Sequence, residues 1–505
     1  MNRSSPWREL ALLALWLVAT IGWRPLTLPD EGRYAGVAFE MLHGSWLEPT
    51  LDGLPYFHKP PLLYWLDLVA IRWLGTNAFA ARLGPALLGW LLGAALFLHL
   101  RRWHGERIAR LGLVVLATAP LFYFGAQYVN HDIGVAACIT AAVLAIVRAV
   151  EDPARTDRRW LAAGWALCGL GVLAKGLIGI VLPAFVVGPW LLAQGRWRQM
   201  LSLLHPLGLA AFALVALPWM ALMQQRHPGF FDYFIVEQHF RRYATTHFNN
   251  QQPFWFFWAV LPLGLLPWSL WIWPATKAAG VPAARAGLYG WWVLAIVFFF
   301  SLPASKLVGY VLPAVAPAVA LLALAIEARA TRWRWLAGAM AFACVAGVAA
   351  LAWDARGSHR DVARALGEHW REGDTLAFAD EAYFDVRFYA GVSAPAVVLA
   401  DWGSPDLAGR DDWHKELSDA ARFAPEAGRQ RLLHWDEAPR LACGGGTLWL
   451  VADESALPRL AALGPLETVL RGRHALLLRR AQAAPGSESC TPAAARSAAN
   501  ASPSR

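Results

Sequence analysis

The sequence predicts a polytopic membrane protein that is mainly α-helical and is followed by a small α/β domain. Hydrophobic residues make up 57% of its 505 residues, only 16% are charged, and 28 are Trp. This composition is rare in soluble proteins of such length. Apolar runs long enough, or nearly long enough, to cross a bilayer follow one another up to about Trp353, where short strand-like runs begin.

Charge and cysteine content narrow the class further. The net charge of +9 comes mostly from arginines in short gaps between apolar runs, which indicates cytoplasmic loops and argues against a nucleic-acid-binding surface. The 5 cysteines are too few for a disulfide framework; a bridge between Cys443 and Cys490 and two free thiols are both left open. The N-terminal run has a basic start and no small-residue cleavage site, so we expect an uncleaved first span with its N-terminus inside.

The membrane portion is expected to contain about eleven transmembrane helices, with juxtamembrane helices between them. Apolar runs begin near Leu10, Phe79, Ile108, Ile133, Trp160, Leu177, Leu201, Phe254, Gly287, Leu307 and Trp335. Arginine-bearing connections such as "RRWHGER" and "EDPARTDRRW" alternate with the others, and the positive-inside rule places them in the cytoplasm. This parity requires that "PPLLYWLDLVAIRWLG" does not cross, and we expect it to form a helix at the membrane interface.

Polar clusters collect in the connections that face the opposite, extracytoplasmic side. These connections contain "DEGRYA", "YFHKPP", "QYVNHD", "AKG", "EQHFRRYATTHFNN" and "SKLVGY". Ionisable groups at a membrane are costly and usually mark function. A cation-rich cavity at the headgroup level suits a lipid that carries phosphate or pyrophosphate, and the carboxylates suit a sugar or an attacking nucleophile.

The C-terminal part has the pattern of a small α/β domain outside the membrane. "DTLAFAD", "AVVLAD", "TLWLVAD" and "ALLLRR" predict strands, and "DVARALGEHWRE" and "ESALPRLAAL" predict helices. The small, polar, proline-bearing end is typical of disorder. We therefore predict a membrane domain at residues 1–353, an α/β domain at residues 354–481 and a disordered tail at residues 482–505.

The segment "PDEGRYAGVAF" places two acids and an arginine directly after the first apolar run. Apolar residues at helical spacing predict an amphipathic helix that starts at Asp30 and lies along the outer membrane surface. Asp30 alone is equally consistent with a helix cap and with catalysis. Glu31 and Arg33 favour chemistry, because a cap needs one carboxylate and no cation.

Lys59 is followed by two prolines that fix the backbone and prevent a helix. A lysine held at the headgroup level beside Tyr56 and His58 is suited to binding phosphate. A lysine that only reaches up to the interface gives the same pattern, so both interpretations stay open.

Three further motifs place polar residues at the outer ends of spans. Asp132 opens a span and suits sugar binding, metal binding with His131, charge balance or a helix cap. Lys175 precedes a glycine and either adds positive potential or anchors a helix end. Lys306 and Tyr310 lie four residues apart, one helical turn, and could reach the same ligand.

The longest outer connection, "FFDYFIVEQHFRRYATTHFNNQQPFW", mixes charged residues with aromatics. Glu237 and His239 are weak evidence for a metal, since zinc sites usually need three or four ligands. The adjacent Arg241 and Arg242 are better evidence for an anion.

The order of these motifs, from "DEGRYA" to "SKLVGYVLP" and followed by a C-terminal domain, resembles one superfamily. It is the GT-C glycosyltransferase superfamily of the aminoarabinose lipid A transferases and the protein O-mannosyltransferases, and the likeness is greatest to the bacterial aminoarabinose branch. The resemblance implies a sugar donor on undecaprenyl phosphate, used at the periplasmic face of the bacterial inner membrane with inversion at the anomeric carbon. It implies lipid A phosphate as the acceptor, membrane lipids as surroundings and no nucleic-acid partner.

The resemblance also implies roles for individual residues. Catalytic roles fall to Asp30, Glu31 and Asp132. Substrate binding falls to Arg33, Tyr34, Tyr56, Lys59, Lys175, Arg242, Lys306 and Tyr310, among which Arg33 and Lys59 are expected to contact the carrier phosphate. Many relatives have glutamate where this chain has His58, and this departure bears on any metal held there. A divalent ion is a possible cofactor that the resemblance does not strictly require, and His58 with His239 are its candidate ligands.

Three other functions compete with aminoarabinose transfer. Transfer of mannose or another sugar to protein or glycan fits the same motifs, because acceptor choice depends on cavity shape. A transporter fits less well, since transporters carry polar groups near the bilayer midplane and often have repeats, whereas these residues collect at span ends. A membrane-anchored binding protein leaves the order of the outer motifs unexplained.

Overall fold

The computed structural model describes residues 5–241, 250–271, 283–328, 333–355, 357–404, 407, 412–443 and 446–481. The chain forms two compact units. The helical unit comprises Met1–Arg24 and Phe57–Asp354, and the α/β unit comprises Pro25–Tyr56 and Ala355–Arg505. The predicted tail at residues 482–505 and the Cys443 to Cys490 pairing lie outside what is described.

Helices are found along the whole described sequence. In chain order they are α1 (Trp7–Val18), α2 (Asp30–His43), α3 (Leu62–Leu74), α4 (Ala78–His104), α5 (Glu106–Ala117), α6 (Pro120–Gly125), α7 (His131–Ala149), α8 (Arg158–Lys175), α9 (Ile178–Ala193), α10 (Trp197–Ser202), α11 (Pro206–Arg226), α12 (Phe256–Gly264), α13 (Ala283–Ser301), α14 (Val315–Glu327), α15 (Trp333–Asp354), α16 (Arg360–His369), α17 (Phe384–Ala390), α18 (Trp413–Phe423), α19 (Pro425–Arg431) and α20 (Leu457–Leu460). A π-helix covers Asp232–Arg241, and the 3₁₀ segments are Trp268–Trp271, Val308–Ala314, Trp435–Cys443, Glu454–Ala456 and Ala461–Leu463.

The predicted membrane portion is helical, and each predicted apolar run contains a helix. Among the described residues, 6 helices are long and apolar enough to cross a membrane: Ala78–His104, His131–Ala149, Pro206–Arg226, Ala284–Ser301, Val308–Glu327 and Trp333–Asp354. The shorter apolar helix Ile178–Ala193 accompanies them. The chain is therefore a multi-pass membrane protein.

The segment after Lys59 behaves as its length predicts. It forms α3, a helix of 13 residues that is too short to span a bilayer. Its acid Asp67 is buried, whereas Arg72 is exposed. A Cβ atom on Gly84 of α4 would lie 2.2 Å from the Asp67 carboxylate, so this glycine leaves room for the buried acid.

Helix α7 forms the centre of the helical unit. It packs against α4, α8 and α9, and almost all of its residues are buried. Its first turn is capped by Asn130, whose side-chain oxygen accepts a hydrogen bond from the backbone N–H of Asp132 at 2.9 Å. Asp132, at the second position of the helix, is thereby not needed as its cap.

The α/β unit is built on a six-stranded sheet with the strand order β5-β4-β3-β6-β8-β7. The strands are β3 (Thr375–Ala379), β4 (Val397–Leu399), β5 (Leu432–Leu433), β6 (Thr447–Ala452), β7 (Glu467–Arg471) and β8 (Leu476–Ala481), and the hairpin β1 (Thr50–Leu51) and β2 (Leu54–Pro55) precedes them in the chain. Strands β5, β4, β3 and β6 are parallel, and β8 pairs antiparallel with both β6 and β7. Each predicted strand and helix of the C-terminal domain is present.

Helix α2 begins at Asp30, as predicted, but it is not a one-sided surface helix. Every residue from Glu31 to Met41 is buried, and the helix packs against α17 within the α/β unit. The amphipathic pattern therefore underestimated its burial. Small residues such as Gly32 allow this close packing, since a Cβ atom there would lie 3.0 Å from Asp385.

A buried ion cluster fastens α2 to the hairpin and to α17. The Arg387 guanidinium donates to the carboxylates of Glu40 and Asp52, the latter at 2.9 Å. The Glu40 carboxylate also accepts hydrogen bonds from the N–H groups of Asp52 at 2.7 Å and Gly53 at 3.0 Å. Burial raises the pKa of Asp52 to about 6. Both turn residues of the hairpin have positive φ angles, as a tight two-residue turn requires.

Candidate active site

Most of the predicted site residues fall into two groups, each described within its own unit. The first group, here called the first-loop cluster, consists of the predicted residues Asp30, Arg33, Tyr34 and Tyr56 of the α/β unit together with Glu416, which was not predicted. The second group lines a cavity in the helical unit.

Arg33 is the centre of the first-loop cluster. Helical spacing brings it one turn from Asp30, and its Nη2 lies 2.5 Å from Asp30 Oδ1. Its Nη1 lies 2.7 Å from Glu416 Oε1 on α18. The guanidinium carbon lies 4.9 Å from the ring centre of Tyr34. Burial alone would lower the pKa of Arg33, but Glu416 and the other neighbours raise it by more than burial lowers it. The net pKa is well above the usual value, so the guanidinium stays charged.

Tyr56 completes this cluster by holding the second oxygen of Glu416. Its hydroxyl donates to Glu416 Oε2 at 2.9 Å. The sequence analysis missed Glu416, which lies in the ordinary-looking helical segment "WHKELSDAARF". No local pattern marks it, because its partners are far away in sequence.

Glu31, and not Asp30, stabilises the start of α2, a role that the sequence analysis considered for Asp30 as a helix cap. Its Oε2 accepts from the backbone N–H of Thr27 at 3.2 Å and from the Thr27 hydroxyl at 3.0 Å. The side chain is fully buried. These bonds tie the chain before α2 to its first turn, much as a capping box does, while Asp30 keeps a side chain that is 26% exposed.

In the helical unit, Asp132 and Lys175 form an ion pair between the start of α7 and the end of α8. The Lys175 ammonium also lies 4.3 Å from the ring centre of Tyr310, a cation–π distance. A Cβ atom on Gly309 would lie 2.2 Å from Asp132 Oδ2. The glycine of "SKLVGY" thus permits Tyr310 and Asp132 to approach the same lysine.

A cavity of about 110 Å³ opens beside this group. Its lining residues are His58, Lys59, Lys175, Ile178, Gln238, His239, Phe300, Pro303, Ser305 and Tyr310. Four of the motifs singled out in the sequence, around His58, Lys175, His239 and Tyr310, therefore meet at one place. The two lysines are the charged donors among these residues, and an ammonium group binds an anion more strongly than a neutral donor does.

His239 is fixed by two hydrogen bonds. Its Nδ1 lies 2.6 Å from the Phe234 carbonyl oxygen, and its Nε2 accepts from the Leu177 N–H at 3.2 Å. Burial lowers the pKa of His239, in keeping with a neutral ring. A Cβ atom on Gly176, which has φ of +87°, would lie 1.9 Å from Nε2, so only glycine fits here.

The predicted metal role of His58 and His239 requires more than these two rings provide. Both nitrogens of His239 have protein partners, so binding a metal would break one of these bonds. The described part of the chain holds no group of three or more His, Cys, Asp or Glu that could bind a metal ion. A metal site stays a prediction.

Lys306, another predicted ligand residue, is not part of the cavity lining. Lys306 is buried, and its ammonium donates to the carbonyl oxygens of Gln252 at 2.7 Å and of Pro303. It precedes the 3₁₀ segment Val308–Ala314, so the helical turn expected to align Lys306 with Tyr310 is absent, and only Tyr310 lines the cavity. Arg242 lies outside the described residues.

Comparison with known proteins places this fold and these motifs in context. A family model described as dolichyl-phosphate-mannose-protein mannosyltransferase matches residues 58–221. The undecaprenyl phosphate-alpha-4-amino-4-deoxy-L-arabinose arabinosyl transferase of Erwinia tasmaniensis is 34% identical over 319 residues, which are 61% of this chain and 57% of the relative. The enzyme of that name from Aeromonas salmonicida is 32% identical over 368 residues, 68% of this chain and 66% of the relative. The chain thus matches somewhat less than two thirds of the length of these relatives.

Solved structures extend the likeness to the whole fold. The crystal structure of ArnT from Cupriavidus metallidurans bound to undecaprenyl phosphate has a TM-score of 0.80 at 24% identity, covering 97% of this chain and 100% of that chain. The apo state of the same protein has a TM-score of 0.78 at 23% identity. The fold is that of the GT-C class, as the motifs predicted. Within this class the chain is similar to the undecaprenyl phosphate-aminoarabinose transferases, and the predicted resemblance is confirmed.

Proposed function

We propose that the chain is an inverting glycosyltransferase that moves a sugar from undecaprenyl phosphate to an acceptor at the periplasmic face of the bacterial inner membrane. The specific reaction we favour is transfer of 4-amino-4-deoxy-L-arabinose to a lipid A phosphate. The names of the relatives and the bound undecaprenyl phosphate in the ArnT structure support the donor.

The observation that carries this proposal is the cation-lined cavity of the helical unit. Lys59, Lys175 and Tyr310 line it together. Fixed positive groups that meet at one place suit a lipid phosphate better than a neutral ligand. Asp132 holds Lys175 in position, so this charge is preorganised before a substrate arrives.

The chemistry follows from the charge that develops at the leaving group. An acceptor oxygen attacks the anomeric carbon, and the bond between this carbon and the carrier phosphate oxygen breaks. The electron pair of that bond leaves with the carrier, which becomes a phosphate monoester with added negative charge. Ammonium groups fixed near this oxygen stabilise the transition state more than the ground state.

The role of Asp30 depends on the acceptor. A hydroxyl acceptor needs a general base to take its proton, and a partly exposed carboxylate can serve as one. A phosphate acceptor is already ionised and nucleophilic, so Asp30 then orients the acceptor or the donor sugar. In both cases its carboxylate touches a reacting molecule.

Transfer of a polyprenyl-phosphate-linked mannose to protein or glycan is the second candidate. The family model that matches residues 58–221 carries a mannosyltransferase description, which favours this alternative over transport. Both candidates share the carrier phosphate and the cation-lined cavity, and they differ in the sugar and the acceptor.

Mass spectrometry of lipid A distinguishes these candidates. A bacterium that makes the lipid-linked aminoarabinose but lacks its own transferase would express this chain or its Lys59→Ala variant. We expect a pentosamine on lipid A phosphate with the unchanged chain and none with the variant. An unchanged lipid A profile with a well-expressed chain would reject aminoarabinose transfer to lipid A and move the weight to mannosylation.

A further inference from the structure

The α/β unit supplies a carboxylate to the cluster around Asp30. Glu416, on α18, lies 2.7 Å from Arg33 Nη1 through one oxygen and accepts from the Tyr56 hydroxyl at 2.9 Å through the other. Its side chain is 13% exposed and that of Arg33 is 8% exposed. Removing one partner of an ion pair this well buried costs more than at a surface pair, because it leaves the other charge buried and uncompensated.

The sequence predicts that Arg33 contacts the carrier phosphate, but in the structure its guanidinium contacts carboxylates. One terminal nitrogen of its guanidinium is held by Asp30 and the other by Glu416. A carrier phosphate would have to compete with these two carboxylates for Arg33. Two carboxylates at one guanidinium favour a positioning role for Arg33 over a role in anion binding.

In this geometry Arg33 connects Glu416 to Asp30. Glu416, which accepts a hydrogen bond from Tyr56, contacts one terminal nitrogen of the guanidinium. The guanidinium carbon lies 4.9 Å from the centre of the Tyr34 ring, and the other terminal nitrogen lies 2.5 Å from the Asp30 carboxylate. Asp30 is the most exposed member of this set, with 26% of its side chain exposed against 8% for Arg33. A partly exposed carboxylate whose buried partner is itself held by other side chains is the arrangement that keeps a reacting group in one orientation.

We propose that Glu416 is a positioning residue that acts through Arg33 on Asp30, so that the C-terminal domain takes part in the transfer reaction. This inference rests on the proposed function, because it gives Asp30 a substrate to act on. The α/β unit then has a part in the reaction, because it fixes the orientation of the first-loop aspartate.

The test uses the full-length protein in lipid nanodiscs with undecaprenyl-phosphate-linked aminoarabinose and lipid A. Glu416→Gln keeps the shape of the side chain and removes its charge. We expect kcat to fall about tenfold or more, with the KM for the donor within about twofold, because the chemistry loses alignment while donor binding does not. Glu416→Asp, which restores the charge on a shorter stem, is expected to recover part of kcat.

Control variants separate positioning from folding. Glu426→Gln makes the same charge change at an exposed site on α19 and is expected to leave kcat unchanged. Tyr56→Phe removes the hydrogen bond to Glu416 and also lowers kcat; combined with Glu416→Gln it is expected to add little, because both act through one contact. If Glu416→Gln does not fold, the Tyr56→Phe measurement decides in its place.

The outcomes separate this inference from the proposed function. No transfer by the unchanged protein would reject the proposed function. Normal transfer by the unchanged protein together with an unchanged kcat in Glu416→Gln would overturn the positioning role alone. If Glu416→Gln lowers the amount of folded protein but leaves kcat per folded molecule unchanged, Glu416 has a purely structural role. This result would also overturn the positioning role.

Discussion

Lys175 pairs with Asp132 where the end of α8 meets the start of α7, and its ammonium lies 4.3 Å from the ring centre of Tyr310. The side chains of the pair are 13% and 8% exposed. One lysine therefore lines the cavity and is also the partner of a nearly buried acid. Removing the acid affects both the stability of the fold and the charge in the cavity.

Asp132→Asn is predicted to destabilise the protein by about 3 to 5 kcal/mol, because it leaves the charge of Lys175 buried without its carboxylate. The double variant Asp132→Asn/Lys175→Met removes both charges and is expected to regain most of this stability. It stays inactive in transfer, since the cavity has lost a cation. Thermal unfolding of the purified variants in one detergent measures the first effect, and a double variant no more stable than the single one would contradict the account.

Gly176→Ala is predicted to damage the cavity wall. The new methyl group would meet His239 Nε2 at 1.9 Å, and the φ of +87° disfavours any side chain, with a strain cost of about 1 to 3 kcal/mol. Gly188→Ala is the matched control, because a Cβ atom there meets nothing within 4 Å. We expect the melting midpoint to fall in the first variant and to stay or rise slightly in the second. Equal midpoints for the two would show that Gly176 and His239 are not in close contact.

The buried Asp52 is predicted to make the protein less stable as pH rises from about 4 to 6. Burial raises the pKa of Asp52 to about 6 in the folded chain, against about 3.9 when unfolded. The folded chain thus holds the proton more tightly, and the stability gained from it is fully present below about pH 4 and lost by about pH 6.

The measurement compares melting midpoints near pH 4.5 and pH 7.5 for the unchanged protein and for Asp52→Asn. The variant has no carboxyl group to titrate, so the drop between these two conditions is expected to be smaller by a few degrees. Glu454→Gln, at an exposed carboxylate of the same unit, is expected to keep the original drop. An identical drop in all three proteins would show that Asp52 does not bind its proton more tightly on folding.

The sequence was sufficient to predict the fold class and much of the cavity. Arginines in alternate connections predicted that the polar motifs share one side of the membrane, and short apolar runs predicted strands β3, β4, β6 and β8. The cavity then brought together His58, Lys59, Lys175, His239 and Tyr310, which had been selected separately. Local signals sufficed here, because each motif lies at the end of an apolar run.

The remaining features depend on long-range packing that no local pattern records. Residues 25–56 fold with the α/β unit, and the pairing of Arg33 with Glu416 joins positions that are distant in sequence. Lys306 looked like a ligand residue because it precedes a span, but nearby backbone carbonyls bind its ammonium. A lysine just before a span gives the same sequence pattern whether it binds a ligand or backbone carbonyls. Only the packing of nearby segments decides between the two.

The most direct test of the central claim is transfer by the purified full-length protein in nanodiscs with undecaprenyl-phosphate-linked aminoarabinose and lipid A. The account predicts that pentosamine on lipid A phosphate and free undecaprenyl phosphate appear in equal amounts. It also predicts that Asp30→Asn and Lys59→Ala each lower the rate about a hundredfold or more while the melting midpoint is kept. No transfer by the unchanged protein, or unchanged rates in both variants, would contradict it.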